Sequence, residues 1–139
     1  MKGYLLDTNV VSELRKGRRI DVGVSGWLDA VDDEALFLSV LVIGEIRKGI
    51  ERVRPTDSAK ARALETWLTR LEMGYGDRVF PVTSAVADQW GRLSAIRPLS
   101  VVDGLLAATA MVHDLTLVTR NGSDVAHTGV DFLNPFSGH

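Results

Sequence analysis

Cysteine is absent from this chain of 139 residues. Disulfides, a catalytic thiol and cysteine-bound zinc are therefore excluded. Long hydrophobic runs are also lacking, since the longest, from Ala35 to Ile43, is interrupted by Ser39 and followed by Glu45. A bilayer-spanning helix needs roughly 20 apolar residues, so none is predicted. No signal sequence precedes Asp7, which favours a cytoplasmic protein.

Positive charge is not in excess either, because the net charge is −2 and the isoelectric point is about 5.9. A surface that attracts nucleic acid over its whole area is therefore excluded. Two local basic groups remain, either as solvated charges or as contacts to phosphate: Arg15, Lys16, Arg18 and Arg19, and Arg47, Lys48, Arg52 and Arg54. The hydrophobic content of 45% predicts one globular domain over residues 1–139.

Apolar runs typical of strands alternate with helical periods along the chain. This alternation predicts an α/β fold with a central, mostly parallel sheet. Strands are expected at residues 4–6, 35–39, 79–82, 115–119 and 130–133, and helices at 10–16, 24–31, 40–54, 58–73, 84–96 and 100–113. Pro81 indicates that the third strand lies at a sheet edge or ends there.

The first predicted strand, Tyr4 to Leu6, is followed directly by Asp7. Ligands of open α/β sheets bind beyond the carboxyl ends of the strands, so this carboxylate lies where a site is expected. The alternative is that Asp7 only caps the following helix, a task that Thr8 and Asn9 can also perform. If Thr8 and Asn9 provide the cap, the Asp7 carboxylate stays free for an ion.

Three further acids occupy comparable places. Glu45 lies early in a helix among apolar residues, where an uncompensated carboxylate would cost several kcal/mol. Asp103 is in the first turn of the helix that follows Ser100, and its alternative role is to complete the cap at Ser100. Asp124 falls in a predicted loop after the strand at 115–119, and the composition of that loop is also typical of plain turns.

These four acids are expected to converge, because right-handed crossovers bring strand ends and the following helix starts to one edge of a parallel sheet. Converged carboxylates repel one another unless a cation neutralises them. Oxygen ligands favour Mg²⁺ or Mn²⁺, which can activate water and stabilise a phosphoryl displacement. The arrangement therefore favours a metal-dependent phosphodiesterase, with one ion or two.

Short polar side chains beside these acids are suited to hydrogen bonds that orient the ligands, although caps and turn bonds explain them equally well. They are Thr8, Asn9, Ser12, Thr119 and Asn121. The basic side chains after the first helix could hold RNA phosphates: Arg15, Lys16, Arg18 and Arg19.

Four segments, taken together and in order, resemble the PIN-domain ribonucleases, in particular the VapC-type toxins of VapBC toxin–antitoxin pairs and the FitB-like proteins. The first runs from Leu6 to Glu13, the second from Ser39 to Ile46 with Gly49, and the third from Asp103 to Ala110. The last comprises residues 117–121 with Asp124 and the ending at 133–136. No single segment is specific, but the ordered set covers nearly the whole chain.

The resemblance implies an α/β/α sandwich, an acid cluster that binds Mg²⁺ or Mn²⁺, and endonucleolytic cleavage of RNA. It also implies a homodimer and inhibition by a cognate DNA-binding antitoxin, whose C-terminal segment lies over the active site. Asp7, Glu45 and Asp103 correspond to the three core acids. The fourth acid stays open, because some relatives carry it at the position of Asn121 and others at that of Asp124.

Two other classes of function remain as alternatives. Haloacid-dehalogenase-like phosphatases also place a nucleophilic aspartate after the first strand, but their next acid would fall at Asn9. A non-catalytic module that sequesters a partner or RNA is the second alternative. The presence of all the expected acids argues against that module.

Overall fold

The computed structural model describes residues 2–138. Its five short strands are β1 (Tyr4–Leu6), β2 (Leu36–Ser39), β3 (Val79–Phe80), β4 (Thr116–Val118) and β5 (Phe132–Leu133). All neighbouring strands pair in parallel, in the order β3-β2-β1-β4-β5. The predicted parallel α/β sheet is confirmed, with β1 at its centre.

Helices form the connections between the strands. They are α1 (Thr8–Leu14), α2 (Val22–Ala30), α3 (Val40–Val53), α4 (Ser58–Tyr75), α5 (Ser84–Ile96), α6 (Val101–Val112) and α7 (Gly122–Val125). Short 3₁₀ turns lie at Gly17–Arg19, Asp33–Ala35, Gly76–Arg78 and Ala126–Thr128. No helix within residues 2–138 is both long enough and apolar enough to span a membrane.

Both faces of the sheet are covered. Successive strand residues point to opposite faces, and Leu5 and Leu6 of β1 are nevertheless both fully buried. Leu38 of β2 and Leu117 and Val118 of β4 are buried with them. The structure is therefore an α/β/α sandwich whose apolar core lies on each side of the central strands.

Several boundaries differ from those expected. The first helix begins at Thr8 rather than Val10, because Asp7 provides its cap. The third strand ends at Phe80, just before Pro81, and lies at the sheet edge as predicted. Gly104 of α6 lies directly against the ring of Trp90, which leaves no room for a side chain at that position.

The register of β1 and β4 places the carboxyl ends of these strands side by side. Leu6 pairs with Val118, and the backbone N–H of Asp7 donates to the carbonyl of Val118 at 2.9 Å. The residues that directly follow the two strands, Asp7 and Thr119, therefore meet at the same edge of the sheet.

The last residues of the chain are fastened to the start of α2. The Asp21 carboxylate accepts from the Ser137 hydroxyl at 2.5 Å and from the Ser137 N–H at 2.9 Å. These hydrogen bonds lower the pKa of Asp21 to about 2. Gly23 leaves room for the same segment, since a Cβ there would lie 2.4 Å from the carbonyl oxygen of Pro135. Phe136 is consequently almost fully buried, at 2% exposure.

Candidate active site

Asp7 lies at the centre of the site and is only 6% exposed. One carboxylate oxygen accepts from the backbone N–H of Thr8 at 2.7 Å, which makes Asp7 the cap of α1. The other accepts from the Thr119 hydroxyl at 2.7 Å. The expectation that Thr8 and Asn9 would cap α1 and leave Asp7 free is wrong, since their side chains bond elsewhere. Each carboxylate oxygen has two lone pairs, so the oxygen that accepts from Thr8 can still bind a further ligand.

Glu45 is brought to Asp7 by α3. Ser39 ends β2 and caps α3 through a hydrogen bond from the Leu41 N–H at 3.1 Å. Glu45 therefore lies less than two turns into a helix that starts at the sheet edge. Its carboxylate accepts from the Thr8 hydroxyl at 2.6 Å, and Thr8 is the neighbour of Asp7. This bond couples the second acid to the first strand.

Asp103 approaches from α6. The Ser100 hydroxyl accepts from the Asp103 N–H at 3.2 Å, as the capping pattern predicts. The bond uses the backbone of Asp103, and its carboxylate makes no ion pair or hydrogen bond with residues 2–138. The cap and an open carboxylate therefore coexist at Asp103.

The electrostatics of Asp7 show which acids lie near it. Burial raises the pKa of the Asp7 carboxyl, and the bonds from the Thr119 hydroxyl and the Thr8 N–H partly oppose that rise. The negative charges of Asp103 and Glu45 raise the pKa further. Two of the other three predicted acids, Asp103 and Glu45, therefore act on Asp7 at this edge.

Asp124 is placed differently from the prediction. It lies in the helix α7, not in a loop, with its N–H bonded to the carbonyl of Asn121 at 3.0 Å. The turn-like composition concealed this helix, whose first residue, Gly122, lies directly against the ring of Phe132. Asp124 is exposed, and it is not among the main groups that shift the pKa of Asp7. It does line a cavity in common with Asp103.

The other short polar side chains predicted to orient the acids differ in what they contact. The Asn9 carboxamide accepts from the Arg120 N–H at 3.2 Å and makes a 3.5 Å contact to Asp7. The Asn121 N–H donates to the Thr119 hydroxyl at 3.0 Å, so the loop after β4 is held against the acids. Ser12 lines a groove beside Glu45.

The basic residues after α1 are mostly unpaired. The side chains of Arg15, Arg18 and Arg19 are exposed and form no ion pair within residues 2–138. Lys16 instead pairs with the buried Glu13 at 2.8 Å. Of these residues, Arg15 is the one that lines the groove beside Glu45.

Two of the four residues of the second basic group, Arg47 and Arg54, are neutralised by acids. Arg47 and Arg54 both contact Glu65, at 2.5 and 2.8 Å, and both also pair with Glu51. The pairs with Glu65 connect α3 and the residue that follows it to α4, so these two arginines stabilise the contact between the two helices.

An apolar groove of about 220 Å³ leads away from Glu45 between α3 and α4. Ile50 and Val53 of α3 form one side, and Leu64 and Trp67 of α4 form the other. The site therefore opens onto a surface that can receive an apolar segment.

The donors at this edge are all oxygen atoms, and their charges repel one another. A hard divalent cation suits such a donor set and would cancel the repulsion. Within residues 2–138, no three acidic or histidine side chains are set closely enough to hold a cation by themselves. Mg²⁺ usually takes one or two carboxylates and keeps several waters.

Sequence comparison matches this chain to known proteins over nearly its whole length. A family profile described as the PIN domain matches residues 4–130. The VapC ribonuclease Y4jK of Sinorhizobium fredii is 32% identical, with 95% of this chain and 96% of the relative covered. Toxin FitB of Neisseria gonorrhoeae is 29% identical, over 95% of this chain and 97% of the relative.

Comparison of the fold with solved structures finds the same group of relatives. The crystal structure of FitAcB from Neisseria gonorrhoeae superposes with a TM-score of 0.85, at 28% identity, covering 95% of this chain and 97% of the other. The sequence comparison and the fold comparison therefore indicate the same relatives, and neither comparison uses the positions of the acids.

Proposed function

The chain belongs to the PIN domain family, and from this membership we propose that it is the ribonuclease toxin of a toxin–antitoxin pair. The reaction is hydrolysis of RNA phosphodiester bonds within the chain. A cognate antitoxin inhibits it. Cellular RNA is the substrate, so the proposal places the protein in the cytoplasm.

The observation that carries the proposal is the environment of Asp7. A buried carboxylate is surrounded by the charges of Asp103 and Glu45, at the edge of the sheet where ligands of α/β folds bind. Such repulsion destabilises the folded protein unless a cation offsets it. A divalent metal ion is the cation that fits an oxygen-only set of ligands.

We assign the metal, Mg²⁺ or Mn²⁺, to the acids Asp7, Asp103 and Glu45, of which one or two would bind the ion directly and the rest through water. When bound, the ion lowers the pKa of water and stabilises charge on the phosphate. The protein orients two of the acids, because the Thr119 and Thr8 hydroxyls donate hydrogen bonds to Asp7 and Glu45, respectively.

Asp124 is proposed as the fourth acid. It lines the same cavity as Asp103, where its charge can attract a second ion or a metal-bound water. The Asn121 side chain makes no capping hydrogen bond, and its backbone N–H contacts Thr119. Asn121 is therefore assigned to support of the loop after β4.

The groove between α3 and α4 is the proposed seat of the antitoxin segment. It begins at Glu45 and continues over Ile50 and Trp67, so a segment bound there would lie beside the acids. Arg15 and Lys60 at the same groove add positive charge for an acidic or polar flank. The assembly is further proposed to contain a toxin homodimer.

Cleavage of RNA by the purified chain, separated from its antitoxin, tests the activity. We expect structured RNAs to be cut internally in Mg²⁺ or Mn²⁺, to remain intact in EDTA, and to be cut again when Mg²⁺ is restored. Circular dichroism in EDTA controls for folding. A folded protein that leaves every RNA intact with either ion would refute the proposed function.

Thr119→Val removes the hydroxyl that holds Asp7 and keeps the side-chain volume. We expect activity or metal affinity to fall about 10–100-fold, the usual effect of losing a bond that orients a ligand. The measurements are RNA cleavage rates across a Mg²⁺ titration. Thr69→Val is the matched control, since Thr69 is an exposed residue of α4 that bonds only its own helix. Equal rates for the two variants would show that Thr119 does not orient Asp7.

A further inference from the structure

A cavity of about 370 Å³ adjoins the acids and is separate from the groove at Glu45. It lies between the α5–α6 connection, which contains Arg97, and the segment of α7 and the following turn, which contains His127. We propose that this cavity binds one nucleotide of single-stranded RNA, next to the bond that is cut. The inference rests on the proposed ribonuclease function and adds the part of the site that selects the RNA.

The volume suits one nucleotide. Pockets for small ligands measure roughly 300–1,000 Å³, and this cavity is near the lower limit. A base-paired segment cannot enter a pocket of that size. An unstacked nucleotide from a loop or a single strand can enter it, and this is the form in which proteins read RNA sequence.

Asp103 connects the cavity to the reacting centre. Its carboxylate raises the pKa of Asp7 on one side, and the same residue lines the cavity on the other. A phosphodiester held at the acids therefore has its neighbouring nucleotide within reach of the cavity.

Arg97 supplies a cation for the phosphate of that nucleotide. It is exposed, it directly precedes Pro98, and its side chain makes no ion pair or hydrogen bond within the described part of the chain. The other charged residues of the cavity are the acids Asp103 and Asp124. A phosphate that no metal ion contacts would be repelled by the acids and attracted to Arg97, so the charge pattern fixes the direction in which a nucleotide enters.

His127 supplies the polar contacts to a base or ribose. Both ring nitrogens are buried and have no hydrogen-bond partner among residues 2–138, although an imidazole carries at least one N–H. Leaving such a donor unpaired costs free energy. The ring lines the cavity, and rotation about its broad Cβ–Cγ torsion would turn a nitrogen toward a ligand there. The Ser123 hydroxyl lies in the same wall.

Cleavage of a randomised RNA pool by variants provides the first test. Arg97→Ala is expected to raise KM about tenfold, the typical effect of losing a charged contact to nucleic acid, with kcat little changed. His127→Ala should relax the sequence preference at one nucleotide beside the cut, and His127→Gln should retain part of it. Arg62→Ala, which removes an exposed unpaired arginine of α4, is the control and should change neither.

Nuclear magnetic resonance of the His127 ring provides the second test and needs no catalysis. Ribonucleoside monophosphates, added in EDTA, should shift the ring signals of the wild type and shift them less in Arg97→Ala. Inorganic phosphate should have a smaller effect. An equal response to phosphate alone would reduce the cavity to an anion site and overturn the proposal.

The two tests separate this inference from the function on which it rests. If the wild type is active and both alanine variants keep its KM and its cut-site preference, the nucleotide site is refuted. The proposed ribonuclease function is unaffected by that result. A folded wild type that cuts no RNA would refute the function. In that case the ring titration still decides whether the cavity binds a nucleotide, and the absence of any shift would overturn it.

Discussion

Asp7→Asn is expected to reduce RNA cleavage about a thousandfold and, at the same time, to stabilise the metal-free protein. Cleavage should fall because the charge proposed to hold the ion is lost, at a cost of roughly 4 kcal/mol in transition-state energy. Stability rises because the amide oxygen can still cap α1, while the repulsion from Asp103 and Glu45 disappears. Glu45→Gln and Asp103→Asn should lose activity in the same way.

The stabilisation should depend on pH. The pKa of Asp7 is raised on folding above its usual value of 3.8, so the folded protein binds this proton more tightly than the unfolded chain does. By linkage, the metal-free wild type loses stability as pH rises from about 4 through the folded pKa. The Asp7→Asn variant does not lose stability in this way. The difference in free energy of unfolding between the variant and the wild type should therefore grow with pH in that interval.

Denaturant unfolding in EDTA, repeated over a series of pH values, measures this difference. Asp29→Asn is the matched control, because Asp29 is an exposed acid of α2 that makes no ion pair or side-chain hydrogen bond in the described part of the chain. Added Mg²⁺ should stabilise the wild type more than Asp7→Asn. An Asp7→Asn variant that is less stable than wild type at neutral pH in EDTA would contradict the account of the acids.

Gly23→Ala is expected to destabilise the protein by about 3 kcal/mol, near the upper end for overpacking. The added Cβ would lie 2.4 Å from the Pro135 oxygen and 2.7 Å from the Ser137 nitrogen, and both are backbone atoms that cannot rotate away. The C-terminal segment must shift, and Phe136 would lose part of its burial. Thermal and urea unfolding measure the loss.

Gly26→Ala provides the control on the same helix. A Cβ at Gly26 meets nothing within 4 Å, so alanine there should stabilise α2 by about 0.5–1 kcal/mol. The two substitutions are chemically identical and should have opposite signs. If Gly23→Ala is as stable as Gly26→Ala, the C-terminal segment does not pack on α2 as described.

Local patterns were sufficient for the fold. Each strand is a short apolar run beside a turn or cap, and each long helix has an apolar stripe, so the order of the elements could be predicted from neighbouring residues. Pro81 marked the end of the edge strand because proline cannot continue a sheet ladder. The cap of α1 was assigned wrongly, because Asp7, Thr8 and Asn9 are all good capping residues. Only the tertiary structure shows that Asp7 is the one that caps the helix.

The acids at the site could be proposed from the sequence because each follows a strand or begins a helix. Thr8 and Thr119 could be proposed as residues that orient them, but which acid each residue contacts could not be predicted. Thr119 reaches Asp7 across 112 positions of sequence, and Ser137 reaches Asp21 across 116. No spacing rule connects such residues, and the same holds for Arg97 and His127, which only the tertiary fold brings to one cavity.

The separation of Asp7 from Thr119 has a consequence for synthesis. During translation the acids at positions 7 and 45 emerge first, but the hydroxyl that orients Asp7 and the strand that pairs with β1 belong to the last part of the chain. A ribosome-bound, incomplete toxin therefore has its acids but not its assembled site. The site at Asp7 can therefore assemble only when most of the chain has been synthesised.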